Sequence, residues 1–477
     1  MSANTRIGRQ ELISRLREYL GELSTDSHRT LTRSIDRSRA RGEHSPVHEI
    51  IMDALREVMD ATPGGERSMS AERAFFMPLE PVMGSISLPE KQIGVIDRES
   101  LRPIWIWITR DLAPGRCDEA LAALRAAIVD EEPEAIAECA DDFQREVCKH
   151  TEALMSEYDK KQGSLKRLEG QLGSSRVLAD LHDIIAFFKQ KPALKAFLDR
   201  LPEKMPVGRS GLAMLNKALS VYADHPPSNT IYAFAAVLDR LGSPSDLVRF
   251  AVFYANSSNP SVIRGTMAGG AVQIALSEAM REIERLRLVL AGDRNLEKVT
   301  QSLRLYHELV SAIERTLDEA PEDPWLKRLA TVRSRASDLL IKELDPLLHM
   351  IKRSVGVMES RGREIVPDAS SLQEAVFGLT LFMVAREIRG SLAINSMIKR
   401  MEKNIEDALE SQGKQAIDRL ASASDENWDA AEARSAGAAE LFGIYFGGAY
   451  GATMVRRHAA TVEARARDID IQAKLAG

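Results

Sequence analysis

The sequence predicts a mainly α-helical protein: a multi-helix bundle or a set of elongated antiparallel helical hairpins, with one small irregular or β-hairpin element near 61–99. Three observations predict it. Apolar residues step by three and four through the second half, as in Leu296, Val299, Leu303, Tyr306, Val310, Ile313 and Leu317, which is the spacing of one helix face. Helix starts carry a capping residue followed by proline, as in Asp323-Pro324 and Asn259-Pro260; the cap accepts from an orphan backbone N–H, and proline at the next position needs no acceptor. Turn residues crowd into 61–99, where Pro63, Gly64, Gly65, Pro78, Pro81, Gly84 and Pro89 interrupt the helical pattern.

In chain order, Ile13, Leu16, Leu20 and Leu23 form a narrow apolar stripe, and Ser45 with Pro46 signals a second helix ending near Thr62-Pro63-Gly64-Gly65. Ser85–Leu88 and Ile93–Ile96 flank Pro89 and read as a small hairpin, marginal on its own. Ile104-Trp105-Ile106-Trp107-Ile108 alternates in a way that fits a strand or one buried helical turn. Phe75, Phe76, Trp105 and Trp107 are the expected core of this region. Residues 117–146 hold ten acids against two arginines, broken near Glu132-Pro133. Shorter apolar helices follow to residue 270, with starts at Pro192, Pro226-Pro227, Ser243-Pro244 and Asn259-Pro260. Beyond Gly270 the helices lengthen, with an interruption at Gly292-Asp293, a kink at Pro346 and one long helix carrying Val376, Leu379, Met383, Leu392, Ile398, Met401, Ile405 and Leu409. The expected division is 1–113, an N-terminal helical domain with the irregular insert; 114–269, a shorter-helix bundle; 270–424, long antiparallel helices; and 425–477, an Ala/Gly-rich segment.

The 477 residues carry a formal charge of −6, too small to name a partner by bulk electrostatics. The Arg-rich stretch 1–42 balances nine arginines with five acids, which argues against nucleic acid, where a concentrated basic patch is the rule. With no apolar run at the N-terminus and three cysteines in one stretch, the reading is a cytoplasmic protein with reduced thiols. Phosphate-loop, dinucleotide, nucleophile-elbow and zinc-protease motifs are absent. Cys139, Cys148 and His150 are the best local metal-ligand set, but their spacing scatters them around a helix, so no metal and no cofactor is assigned. The acids Glu131, Glu134, Glu138, Asp141 and Asp142 read as a solvated face.

The most specific feature is near the C-terminus. Ser435, Ala439, Gly443, Gly447 and Gly451 place a small residue at every fourth position, beside Phe442, Phe446 and Tyr450 and followed by Arg456 and Arg457. Each glycine in a water-exposed helix costs about 1 kcal/mol relative to alanine, so close helix approach must compensate. Packing within protein, contact with a membrane surface, and a strand turning at Gly447-Gly448 all satisfy the pattern. These ten residues are the expected interaction surface. The leading expectation is a non-enzymatic helical scaffold or adaptor that binds a protein partner or a second copy of itself. The alternatives are a peripheral membrane protein using 435–457, and an enzyme whose site is assembled from dispersed residues such as the acids of 131–142.

Overall fold

A computed structural model describes residues 69–84, 86–159, 164–356, 359–360, 363–364 and 366–476, together with single residues between 16 and 54. The protein is mainly α-helical, as its periodicity predicts. Its contacts divide the chain into two compact units, Met1–Ala196 and Phe197–Gly477. The arginines of 1–42, the Ser45-Pro46 helix start and the turn at 62–65 lie outside the described residues. Leu20, Ile35 and Ala54 form a buried cluster, with Leu16, Leu31 and Ile51 packed against it.

In the first unit, α1 (Ala71–Phe76) is capped by Ser70, whose side chain accepts from the Arg73 N–H. It delivers Phe75 to the core, where Phe76, Phe143, Phe188 and Trp105 surround the ring at 4.9–5.8 Å. A 3-10 turn, Met77–Val82, leads into β1 (Met83–Gly84), which pairs with β2 (Ile96–Asp97). The pairing is parallel, not a hairpin: the chain between the strands turns through Pro89 and the left-handed Gly94 and returns in its starting direction. Asp97 caps α2 (Arg98–Trp107), accepting from the Glu99 N–H. That cap resolves the ambiguous Ile104–Ile108 run as helix, extended by a π turn over Ile108–Leu112. α3 (Asp118–Asp130) and α4 (Pro133–Asp159) are separated by a left-handed Glu131. α5 (Ser164–Leu172) and α6 (Ser175–Leu198) follow. Pro192 lies inside α6 instead of starting a helix; the buried Phe188 and Leu194 on either side offset the backbone bond that proline forfeits.

Polar contacts hold the irregular segment to α6. Asp180 is fully buried, accepts from Ser100 Oγ at 2.5 Å and pairs with Lys91. Lys91 also reaches Asp183 at 2.7 Å and donates to the Val95 carbonyl. One step along, Asp97 accepts from Ser87 Oγ at 2.7 Å and pairs with Arg176 at 2.8 Å, while Arg176 donates to the Leu88 carbonyl.

The second unit contains α7 (Arg209–Leu219), α8 (Ile231–Val237), α9 (Asp246–Ala255), α10 (Pro260–Arg264) and α11 (Gly269–Ala291). α12 (Leu296–Thr316) starts at Asn295, and α13 (Pro324–Leu344) starts at Asp323, whose side chain accepts from the Trp325 N–H. At Asp345-Pro346, where a kink is expected, the helical hydrogen bonding is interrupted although both residues stay in the right-handed helical region, and α14 (Leu347–Val355) follows. After α14, two short strands, β3 (Glu359–Ser360) and β4 (Arg363–Glu364), pair antiparallel. The single long helix expected next is two: α15 (Ala369–Glu387) and α16 (Asn395–Ser422), separated by a 3-10 turn, Arg389–Ser391. Neighbouring side chains take over the carbonyls that a continuous helix would have used: Tyr306 Oη donates to the Ser391 carbonyl at 2.6 Å, and Arg333 donates to those of Gly390 and Leu392. α17 (Trp428–Phe446) and α18 (Gly448–Ala476) complete the chain. No helix among the described residues is long and apolar enough to cross a membrane.

α11 is the central element of this unit, packed by α8, α9, α12 and α13, and Val272, Leu276, Ala279, Leu286 and Leu290 are buried as their stepping predicts. It also buries charge. Glu282 is 1% exposed, paired with Arg285. Loss of hydration raises its carboxyl above the usual glutamate range, a push that Arg285 and the Ser302 hydroxyl only partly oppose. A raised acid contributes stability below its unfolded pKa and loses it as pH rises through the folded one. Glu282→Gln is therefore expected to melt higher than wild type at neutral pH, and the advantage should vanish below about pH 4. Calorimetric melting of both proteins across that range checks this; a lower melting temperature for the variant at neutral pH would reverse the sign.

Candidate functional site

The glycine-rich segment is a helical hairpin, not one continuous helix. Alanine-rich sequence carries α17 from Trp428 to Phe446, where Gly447 stops it at φ +56°, ψ −169°. That region is open essentially to glycine alone. Gly448, also left-handed, starts α18. A one-residue turn thus converts the expected stripe into two facing strips.

Three contacts set the antiparallel register. Near the turn, a β-carbon on Gly451 would lie 3.0 Å from Gly443 Cα and 3.3 Å from the Phe442 carbonyl oxygen, so the two backbones touch. Midway, Ser435 Oγ and His458 Nδ1 are 3.0 Å apart. At the open end, the Arg465 guanidinium lies over the Trp428 ring at 5.4 Å and pairs with Asp425. The small residues therefore serve contact within the chain: Ser435 and Ala439 are buried, and Gly443 and Gly447 are half-buried.

The aromatic residues lean on α16. The Phe442 ring and the Met454 methyl group fill the space beside Gly413, where a β-carbon would come within 3.2 Å and 2.8 Å of them. Tyr445 is buried; its hydroxyl donates to the Glu402 carbonyl at 3.1 Å and its ring lies under the Arg386 guanidinium. Burial raises the Tyr445 phenol above its usual value. Phe446 stacks between Phe442 and Tyr450, with ring centres 4.4 Å and 5.0 Å away. Tyr450 itself is 50% exposed, with its hydroxyl 3.4 Å from Glu410. Val455 is 48% exposed, and Arg456 and Arg457 are exposed beside it. Of the ten residues, Ser435, Ala439, Phe442 and Gly451 are buried, while Tyr450, Arg456 and Arg457 face solvent.

The other candidates do not assemble. Glu131, Glu134, Glu138, Asp141 and Asp142 are exposed along α3 and α4, and Asp141 pairs with Lys191. Cys117 and Cys148 are buried, and burial pushes their thiols up to about 11 and about 12. His150 lies 3.4 Å from Glu146. Among the described residues, no three side chains of the metal-binding types come together. Arg434, buried within α17, had no legible signal in the sequence, whereas the turn Arg389–Ser391 carries Gly390 and sits in the gap between Met383 and Leu392. No family model matches the chain, nor does any curated protein or solved structure compared with it.

Proposed function

We propose that this chain is a non-enzymatic α-helical scaffold or adaptor that binds a protein partner, or a second copy of itself, through the tip of its C-terminal hairpin. The observation that carries this reading is the half-exposed Tyr450 on a rigid support. Its ring meets Phe446 edge to face and Phe442 at a tilt, and the backbone beneath is locked by the Gly443–Gly451 contact. Interfaces favour tyrosine and phenylalanine at their centres, and a preorganised anchor loses little freedom on binding.

Tyr450→Ala is expected to weaken association with the partner about tenfold or more, the usual effect of removing an aromatic anchor. An exposed position changes folding stability by only about 0.5 kcal/mol, so the melting curve should stay close to wild type. Affinity capture paired with light scattering measures both kinds of association. A strictly monomeric protein with no partner whose capture depends on Tyr450 would overturn the proposal.

A lipid surface is the second reading, drawn from the exposed Val455, Arg456 and Arg457 next to Tyr450. Interfacial helices combine such apolar and basic groups. Flotation with anionic vesicles that is abolished by reversing both arginine charges would favour it over the protein partner.

A further inference from the structure

In the second unit, α12, α15, the Arg389–Ser391 turn and α16 enclose an open cavity of ≈ 580 Å³. Three arginines line it from three elements: Arg304 on α12, Arg386 on α15 and Arg389 on the turn. Two carboxylates, Glu387 and Glu402, share the wall. Neither makes a close ion pair there: Arg304 is 4.0 Å from Glu387, and Arg386 Nε is 3.8 Å from Glu402. Both separations exceed a hydrogen bond, which for N–H···O ends near 3.2 Å. Arg304 and Arg389 therefore keep donor capacity toward the cavity, while Arg386, whose guanidinium also lies over the Tyr445 ring, adds its charge; the lining carries one more positive charge than negative.

The turn that carries Arg389 is held from below. Ser391 is fully buried; its carbonyl accepts from Tyr306, and its hydroxyl lies 2.8 Å from His307 Nδ1 and 3.2 Å from Ser311 Oγ. Arg333 takes the Gly390 carbonyl. A turn backbone fixed by this many side chains holds the exposed Arg389 at the rim of the cavity. Met383 and Val384 supply apolar lining.

We propose that this cavity binds a small phosphate monoester, its phosphoryl group on Arg304, Arg386 and Arg389 and its uncharged body against Met383 and Val384. The proposal goes beyond the scaffold reading and does not rest on it. Planar guanidinium forks match phosphate oxygens in bidentate geometry. A phosphoryl dianion offers three terminal oxygens to three forks, whereas one fork already satisfies a carboxylate. The volume lies in the range of small-molecule sites and leaves room beyond a bare ion. The rival explanation is structural: Arg386 and Arg389 lie at the C-terminal end of α15, where cations interact favourably with the last carbonyls.

Titration calorimetry on the full chain at constant ionic strength separates the two. Phenyl phosphate is the principal probe, with inorganic phosphate and acetate as the comparison arms. The expected result is saturable one-to-one binding of phenyl phosphate, tighter than inorganic phosphate, and none of acetate. Arg389→Ala should weaken binding about tenfold, the loss of one charge-assisted contact, with its melting temperature as the folding control. Glu387→Gln removes a competing carboxylate and should tighten binding, an effect no purely structural role predicts. Absence of saturable phenyl phosphate binding, or equal affinity in wild type and Arg389→Ala, would overturn the proposal. Equal affinity for the two phosphates would overturn the monoester assignment.

Discussion

Gly451→Val is expected to destabilise the protein by about 2–3 kcal/mol, the upper part of the range for overpacking a close contact. The first added carbon already meets the Gly443 backbone at 3.0 Å, and backbone has no rotamer in which to retreat. The valine methyl groups extend the clash and force α17 and α18 apart, away from the Ser435–His458 contact. Gly443→Ala supplies the opposite sign. Nothing lies within 4 Å of a β-carbon at Gly443, so alanine gains about 0.5–1 kcal/mol of helix preference. Urea unfolding followed by circular dichroism should move the midpoint down for the first variant and up for the second. Equal losses at both positions would contradict the hairpin, because an uninterrupted packed stripe would penalise both.

Asp180→Ala should destabilise the first unit by about 3 kcal/mol, the lower end of the effect of breaking a buried charge pair. The carboxylate is fully buried and bound by Lys91 and Ser100. Its removal strands the Ser100 hydroxyl and half of the Lys91 pairing. Lys91 keeps Asp183 and is itself 25% exposed, which limits the loss. The double variant Lys91→Met with Asp180→Leu removes both charges together and should recover part of the stability, since well-packed apolar replacements of buried pairs are often tolerated. Limited proteolysis should report the same order, with cleavage in 86–97 fastest in Asp180→Ala. A double variant less stable than either single one would contradict the pairwise account.

Helix identity was legible because it depends on spacing and caps, which are local. Asp323 and Asn259 cap where they should, and the α11 and α12 faces are buried along their apolar steps. The misreadings share one cause. Val376 to Leu409 is expected as one helix, although its apolar steps jump by nine from Met383 to Leu392 and by six from Leu392 to Ile398. The chain turns in that gap, at Arg389–Ser391, where Tyr306 and Arg333, distant in sequence, bind its carbonyls. Likewise Ser85–Leu88 and Ile93–Ile96 read as a hairpin around Pro89, but the strands observed, Met83–Gly84 and Ile96–Asp97, are parallel and the segment is anchored by Asp180 and Arg176 on α6.

The C-terminal segment divides along the same line. The sequence alone shows small residues at every fourth position, Ser435, Ala439, Gly443, Gly447 and Gly451, and glycines whose helical cost needs compensation; among these three glycines only Gly451 has its β-carbon position occupied. What approaches is a tertiary matter. A glycine at every fourth position fits one long stripe and two facing strips equally well, because the helical period is blind to a single residue leaving the helix. Gly447, at φ +56°, makes that choice, and it spends the small residues on α18, leaving Tyr450 at the surface. Periodicity is written locally and can be read from the chain; the partner of each face is set by contacts between distant residues, which only the folded structure brings together.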